Sequence, residues 1–418
     1  MRVASLAFSV CLGLAAGAVP WALARADSGL ADLGVNLEGL RQAGRNLNPG
    51  LRAAALDTQA ASAKASGADA LDDPTVNDSY QYYKDPGVFS AHTIMLSQSF
   101  PLWGKRTLRR QAALADVDAA RGREQAARDE TDERIKVAYA GWYATCREIA
   151  VEREILVLDG RMRAAAAARY GQGGGDEIGV IRVMDEQTAA RVEIIRLEGD
   201  STAASARLDA LVGRRADAPL AHPEHARPVP RGAPPLTVLL DRAHAANPTL
   251  VAATAGVQAA RTRSTLAAKA WYPDLTVGGG PLFQTNNRPV GFAAAVSVNI
   301  PVGWGREAAG EREAQAQLGA SEQRYDAALL EVDGAIAEAA AKLQAARQTE
   351  ALLRREAAPQ ARASFQASLA GYRQGKGDLA SAIAAERLDH DVELRLLLVE
   401  LDEQVELAAI ERLIGGDL

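Results

Sequence analysis

The residues of this 418-residue chain that could do chemistry are five histidines, two cysteines and a few clustered carboxylates. His222-Pro223-Glu224-His225 places two imidazoles three residues apart, a spacing that can hold a transition metal on a fixed scaffold. Its setting, residues 215–235 with six prolines, reads as a solvated connector and not as such a scaffold. Cys146 falls in a long helical pattern and reads as a small packing residue. Gly173-Gly174-Gly175 has the glycine density of a phosphate cradle, but no strand precedes it and no Lys-Ser/Thr pair follows. Glu386, Asp389 and Asp391 read first as a solvated helix face, with cation conduction as the second reading. His92, in a predicted strand, reads as a polar residue facing a lumen or an interface. No nucleophile–base pair and no cluster of metal ligands emerges. An enzyme is therefore not expected, nor a cofactor or resident metal.

With little side-chain chemistry to follow, repetition becomes the signal. Asn48-Pro49-Gly50-Leu51 returns as Asn247-Pro248-Thr249-Leu250. Phe100-Pro101-Leu102-Trp103-Gly104-Lys105-Arg106 returns as Ile300-Pro301-Val302-Gly303-Trp304-Gly305-Arg306. Tyr170-Gly171-Gln172-Gly173-Gly174-Gly175-Asp176 returns as Tyr372-Arg373-Gln374-Gly375-Lys376-Gly377-Asp378, and the closing Leu208-x-x-Leu211-x-Gly213 as Ile410-x-x-Leu413-x-Gly415. Four markers in one order, at an offset of about two hundred residues, define a duplicated unit. The chain divides accordingly into residues 27–214, the connector 215–235, and residues 236–418.

Each half predicts the same order of elements: a helix broken at Asn-Pro, a β-hairpin, a very long helix, a glycine-rich reversal and a second long helix. The hairpins span 75–100 and 274–302, turning at Lys84-Asp85-Pro86-Gly87 and at Asn286-Asn287-Arg288-Pro289. The junctions back into helix carry Pro101 and Gly104 in one half and Pro301 and Gly305 in the other. The long helices span 105–169 and 177–211, then 306–370, where Pro359 should introduce a kink, and 378–413. A rod of this length, about 95 Å at 1.5 Å per residue, survives only by packing along its side in coiled-coil fashion. Strands of about ten residues suffice to cross a bilayer when tilted. Two hairpins per chain are too few for a membrane barrel, so copies must pool them.

The formal charge of −6 excludes a nucleic-acid footprint. Residues 1–26 have the basic start, apolar stretch and small-residue exit of an export signal. No later segment has the apolar length of a spanning helix.

This pattern resembles the TolC-like outer-membrane efflux proteins over almost the whole chain. The resemblance rests on the Asn-Pro of each opening helix, the segment Ser97-Gln98-Ser99-Phe100-Pro101-Leu102-Trp103-Gly104-Lys105-Arg106, and the closing Leu-x-x-Leu-x-Gly. It implies a mainly α chain with a small β part, which trimerises into an α-helical periplasmic tunnel and a 12-stranded outer-membrane barrel. It further implies passive conduction of a substrate delivered by an inner-membrane proton-driven resistance-nodulation-division antiporter through a periplasmic adaptor, or membrane fusion protein. The helical tips that dock the adaptor would be Gly171, Gly173, Gly174, Gly175 and Asp176, with Gly375, Lys376, Gly377 and Asp378. Leu71-Asp72-Asp73-Pro74 and the Ser97–Arg106 segment are most similar to the CzcC-like branch, which implies divalent heavy-metal cations such as cobalt, nickel, zinc or cadmium. A drug-efflux or type I secretion channel is the alternative within the class, and a soluble periplasmic coiled-coil scaffold the alternative outside it. The chain departs from the family where an Asp-Val-Leu-Asp segment commonly constricts the entrance. Ser381-Ala382-Ile383-Ala384 stands there instead, leaving Ser381, Glu386 and Asp389 as the entrance candidates. Cys11 lacks the context of a lipid-bearing cysteine, so no lipidation is expected.

Overall fold

The computed structural model describes residues 33–82, 90–173, 177–230, 232, 234–284, 289–303 and 305–418. The export signal, the Lys84–Gly87 turn, most of the Asn286–Pro289 turn, and Gly174, Gly175 and Asp176 of the first reversal lie outside the described residues.

Two short helices open each half: α1 (Leu37–Leu47) and α2 (Pro49–Gly67), then α5 (Leu236–Ala246) and α6 (Pro248–Ala268). Asn48 and Asn247 make the breaks between them, each with φ −62° and ψ 120°, so the chain leaves the helix for one residue and re-enters at proline. Proline is suited to that first helical position because the helix has no use for its missing N–H. Each asparagine works twice. Oδ1 of Asn48 accepts from the amides of Gly50 and Leu51, while its Nδ2 donates to the Leu211 carbonyl at 2.7 Å. Oδ1 of Asn247 accepts from Thr249 and Leu250, and its Nδ2 donates to the Leu413 carbonyl at 2.8 Å.

The closing glycines complete the same joint. Gly213 (φ 87°) and Gly415 (φ 72°) end α4 (Glu177–Val212) and α9 (Leu379–Ile414) in the left-handed conformation. A Cβ on Gly213 would lie 2.7 Å from the Leu47 carbonyl oxygen, and one on Gly415 would lie 2.7 Å from that of Ala246. Two of the four repeated markers are thus halves of one contact, made once in each repeat. Replacing Asn247, 3% exposed, by alanine removes the cap and strands the Leu413 carbonyl. We expect a loss of about 1–3 kcal/mol, read as a lower thermal midpoint; an unchanged midpoint would show that the joint is ornamental.

The long rod α3 (Lys105–Gly171) has 67 residues. Its first part lies against α2 and α6, and its second against α4 and α9. Alanine permits the closeness: Ala113 and Val117 meet Ala65 of α2. In the second repeat α7 (Arg306–Leu352) passes through a π-turn, Leu353–Ala357, into α8 (Ala358–Arg373). The π-turn ends two residues before Pro359, the second residue of α8 and the position at which a kink was expected. The two halves bury equivalent cores. Leu40, Ile135 and Leu208 occupy one, and Leu239, Ile336 and Ile410 the other.

The strands β1 (Thr75–Gln81), β2 (Ala91–Phe100), β3 (Leu275–Gln284) and β4 (Gly291–Val298) form one antiparallel sheet in the order β1-β2-β3-β4. Each half supplies the one hairpin that its sequence predicts. The β2–β3 ladder, with Phe100 opposite Leu275 and His92 opposite Phe283, joins the two hairpins across the repeats.

Candidate functional site

Register decides what the sheet can do. Opposed residues of an antiparallel pair share a face. Val76 opposes Leu96, Val277 opposes Val296, and Leu275 opposes Val298. Val76, Tyr80, Ile94, Leu96, Val277, Phe283, Phe292, Val296 and Val298 consequently lie on one face, and every one of them is exposed, Phe292 by 77% and Val296 by 69%. The other face carries Asn77, Ser79, Thr93, Met95, Ser97, Ser99, Thr276, Gly278, Gly280, Ala293, Ala295 and Ser297, with Leu282 as its one large aliphatic residue besides Met95. An outward apolar band over a small, polar inner lining is the pattern of a barrel wall in lipid. His92 lies on the apolar face, the side on which alternation along the strand groups it with Ile94 and Leu96. There its Nε2 pairs with Asp78 Oδ1 at 2.5 Å, between the rings of Tyr80 and Phe283. Among the described residues, β1 and β4 each have one strand neighbour.

The passage from sheet to helix is rigidly tied. After Pro101, Trp103 adopts φ 61° and Gly104 φ 77°, and Trp103 Nε1 donates to the Pro273 carbonyl at 2.8 Å. Lys105, buried at the head of α3, donates from Nζ to the Tyr272 carbonyl and to Asp274 Oδ2, both at 2.8 Å. The equivalent junction of the second repeat passes Pro301 and Gly303 and reaches α7 through Gly305 at φ 97°. Lys105 stands in a repeated marker of the sequence, but only the fold brings Asp274 to it.

At the far end of the rods lie the reversals. Gly171 closes α3, and Gly173 follows with φ 75°. In the second reversal Gly375 has φ 75°, and the amide of Lys376 donates to the Gly371 carbonyl at 2.9 Å. Gly377 follows, and Asp378 Oδ1 then caps α9 by accepting from the Ser381 amide at 2.6 Å, which holds its carboxyl below the usual range. The two reversals are tied to each other. The Arg169 guanidinium sits 4.7 Å over the Tyr372 ring and donates to the Tyr372 carbonyl. Behind them Met162, Val183, Phe365 and Leu379 form a small core shared by α3, α4, α8 and α9.

The entrance candidates separate. Ser381 is exposed and Asp389 half-buried. Glu386 was predicted on a solvated face with Asp389 and Asp391, but it is 3% exposed and packs inward beside Asp159 of α3, itself 1% exposed. Burial and the neighbouring Asp159 push the Glu386 carboxyl up to about 7, and burial with Glu186 and Glu152 pushes Asp159 up to about 6. One turn along, His390 Nε2 lies 2.9 Å from Glu152 Oε1, outside hydrogen-bond alignment, and that carboxylate raises the histidine's pKa. Asp159 and Glu152 were missed in the sequence, although their spacing with Ile149, Met162 and Ala166 places them on the buried stripe of α3. Of the other candidates, His222 lies 3.8 Å from Cys146 Sγ, whereas the His225 carbonyl accepts from Tyr139 Oη. No group of three metal-ligating side chains occurs among the described residues.

The chain thus sets a one-sided apolar sheet at one end of bundled helical rods. The outer membrane efflux protein family matches residues 40–214 and 239–416, and the chain belongs to that family. It is thus an efflux channel of the outer membrane and not an enzyme. Among solved structures it is similar to the outer-membrane channel OprN, at 19% identity over 91% of this chain and 90% of that one, with a TM-score of 0.79. It is also similar to CusC at 17% identity over 91% and 92%, TM-score 0.78, and to VceC of Vibrio cholerae at 19% over 91% and 96%, TM-score 0.77. At these identities the likeness is one of fold. No curated protein matches by sequence.

Proposed function

We propose that three copies of this chain close their four-stranded sheets into one twelve-stranded barrel, with the helices continuing the wall into the periplasm. The exposed apolar face of the sheet carries this reading, because nine large side chains facing water would be a cost no soluble scaffold accepts. In this reading the channel is passive. A proton-driven resistance-nodulation-division pump of the inner membrane supplies the energy, and a periplasmic adaptor joins the two by docking at the reversals around residues 171–176 and 373–378. An N-terminal export signal would deliver the chain to its place.

The cargo we propose is divalent heavy-metal cations. The support is the similarity of residues 71–74 and 97–106 to the CzcC-like branch. A conduit must also bind weakly enough to release. A drug-efflux or secretion channel remains the alternative, and growth assays on a deletion strain separate them. Sensitivity to cobalt, nickel, zinc or cadmium is expected; sensitivity to dyes and detergents alone would assign the cargo to the alternative. For the tips, deletion of residues 373–378 is expected to abolish resistance while trimers still reach the outer membrane. Full resistance in that strain would remove the reversals from the docking role.

A further inference from the structure

The buried acids between α3 and α9 have no part in the reading above. The two helices run antiparallel, so their charged residues meet in two adjacent layers: Asp159 with Glu386, and Glu152 with His390. Among the described residues, Asp159 Oδ1 and Glu386 Oε1 are buried with no hydrogen-bond partner, and neither carboxyl has a cation at ion-pair distance. Around them α3 adds Glu152, α4 adds Glu186 and Glu193, and α9 adds Arg387, His390 and Asp391. Arg387 is drawn outward to Glu186. The charge offered by α8, Arg362, is engaged by Glu393 at 2.8 Å, beyond Asp389. Acids therefore outnumber bases at a place where water is excluded, and an unpaired buried carboxylate is costly.

We propose that the first half of α9 is held against α3 by a proton-loaded cluster of Asp159, Glu386, His390 and Glu152, so that the tip end of the chain is tight in mild acid and loosened above neutrality. The sign follows from each group separately. A carboxyl raised from 4.5 to about 7 binds its proton more strongly in the packed state, so packing weakens as pH rises between those values. Asp159, raised from 3.8 to about 6, acts in the same direction. His390, raised by Glu152, contributes attraction that is present below its ordinary pKa and lost as pH climbs through the raised one. All three loosen the same contact. Because α9 starts at the Asp378 cap, the motion reaches the second reversal directly.

The device depends on the channel reading only in giving the tip a purpose, and its test involves no transport. Hydrogen–deuterium exchange of residues 379–393 in the purified full chain, corrected for intrinsic rates, should show protection about tenfold lower at pH 8 than at pH 5. The double variant Asp159→Asn/Glu386→Gln should remove most of that dependence. Equal protection at both pH values, or an unaltered dependence in the double variant, overturns the proposal. Infrared difference spectra of the unmutated protein supply a second reading that needs no variant. A protonated-carboxyl band should disappear between pH 5 and 8 with two components, and Glu386→Gln separates its share from Glu403, another buried acid pushed up to about 7. Absence of the band throughout refutes the proton-loaded state.

Discussion

Lys136→Met is expected to destabilise the chain by about 3–5 kcal/mol, the largest single effect we foresee. Lys136 is 6% exposed, and its Nζ lies 2.9 Å from Glu411 Oε2, 2.6 Å from Asp417 Oδ1 and 3.3 Å from Asp132 Oδ2. Glu411 is 2% exposed, with Arg227 of the connector on its other oxygen and the Leu418 amide donating to it at 3.1 Å. Removing the lysine leaves a buried carboxylate half-compensated at the point where α3, the connector and the C-terminal turn meet. Chemical unfolding of the detergent-solubilised protein would measure the loss. Adding Glu411→Gln should recover most of it, since the stranded charge then disappears. A loss below about 1 kcal/mol would mean that water reaches this network despite its burial.

This network and the tip cluster have opposite pH signatures. Burial pushes Asp132 up, but the Arg41 hydrogen bonds at 2.7 and 2.6 Å and the Lys136 charge prevail and hold it below its ordinary value. A depressed carboxyl stabilises above its unfolded pKa and stops doing so as pH falls through the folded one. Acid therefore weakens the Asp132 contacts at the waist of the molecule while it tightens the tip, and the two ends can be followed separately by local exchange.

The second large effect concerns the sheet. Val296→Arg places a charge on the apolar face, where a lipid-facing cation costs up to about 2–4 kcal/mol per chain at the bilayer midplane and less towards the interfaces, a penalty repeated in every copy of the barrel. Ser297→Arg, one residue away, points to the opposite face and should be nearly neutral for assembly, altering conductance instead. Heat-resistant oligomer recovered from outer membranes distinguishes the pair. Equal recovery of both variants would show that the register has been assigned to the wrong faces.

The repeated markers illustrate how far a sequence can be read. Asn-Pro and the closing glycine recur because each is required by local backbone geometry, one by a cap and the other by a positive φ, so they are visible without any knowledge of neighbours. The helix lengths followed from uninterrupted apolar periodicity, and the duplicated, mainly α chain with a small β part followed from the order of those elements. Alternation within each strand likewise hinted at two faces. What covers a face is a different matter. Alternation already puts His92 on the side of Ile94 and Leu96, but its neighbours Tyr80 and Phe283 could be named only once β2 had β1 and β3 beside it, because they depend on register. Glu386 read as solvent-exposed because the sequence around it does not show which side of α9 meets α3. The pairing of Lys136 with Glu411 joins residues of different repeats, and no local pattern encodes it. The sequence by itself determined the elements, their duplication and the family, since these rest on short-range sterics and periodicity. Only the tertiary structure decided which charges are buried together, because burial is a property of two surfaces and each segment of sequence describes one.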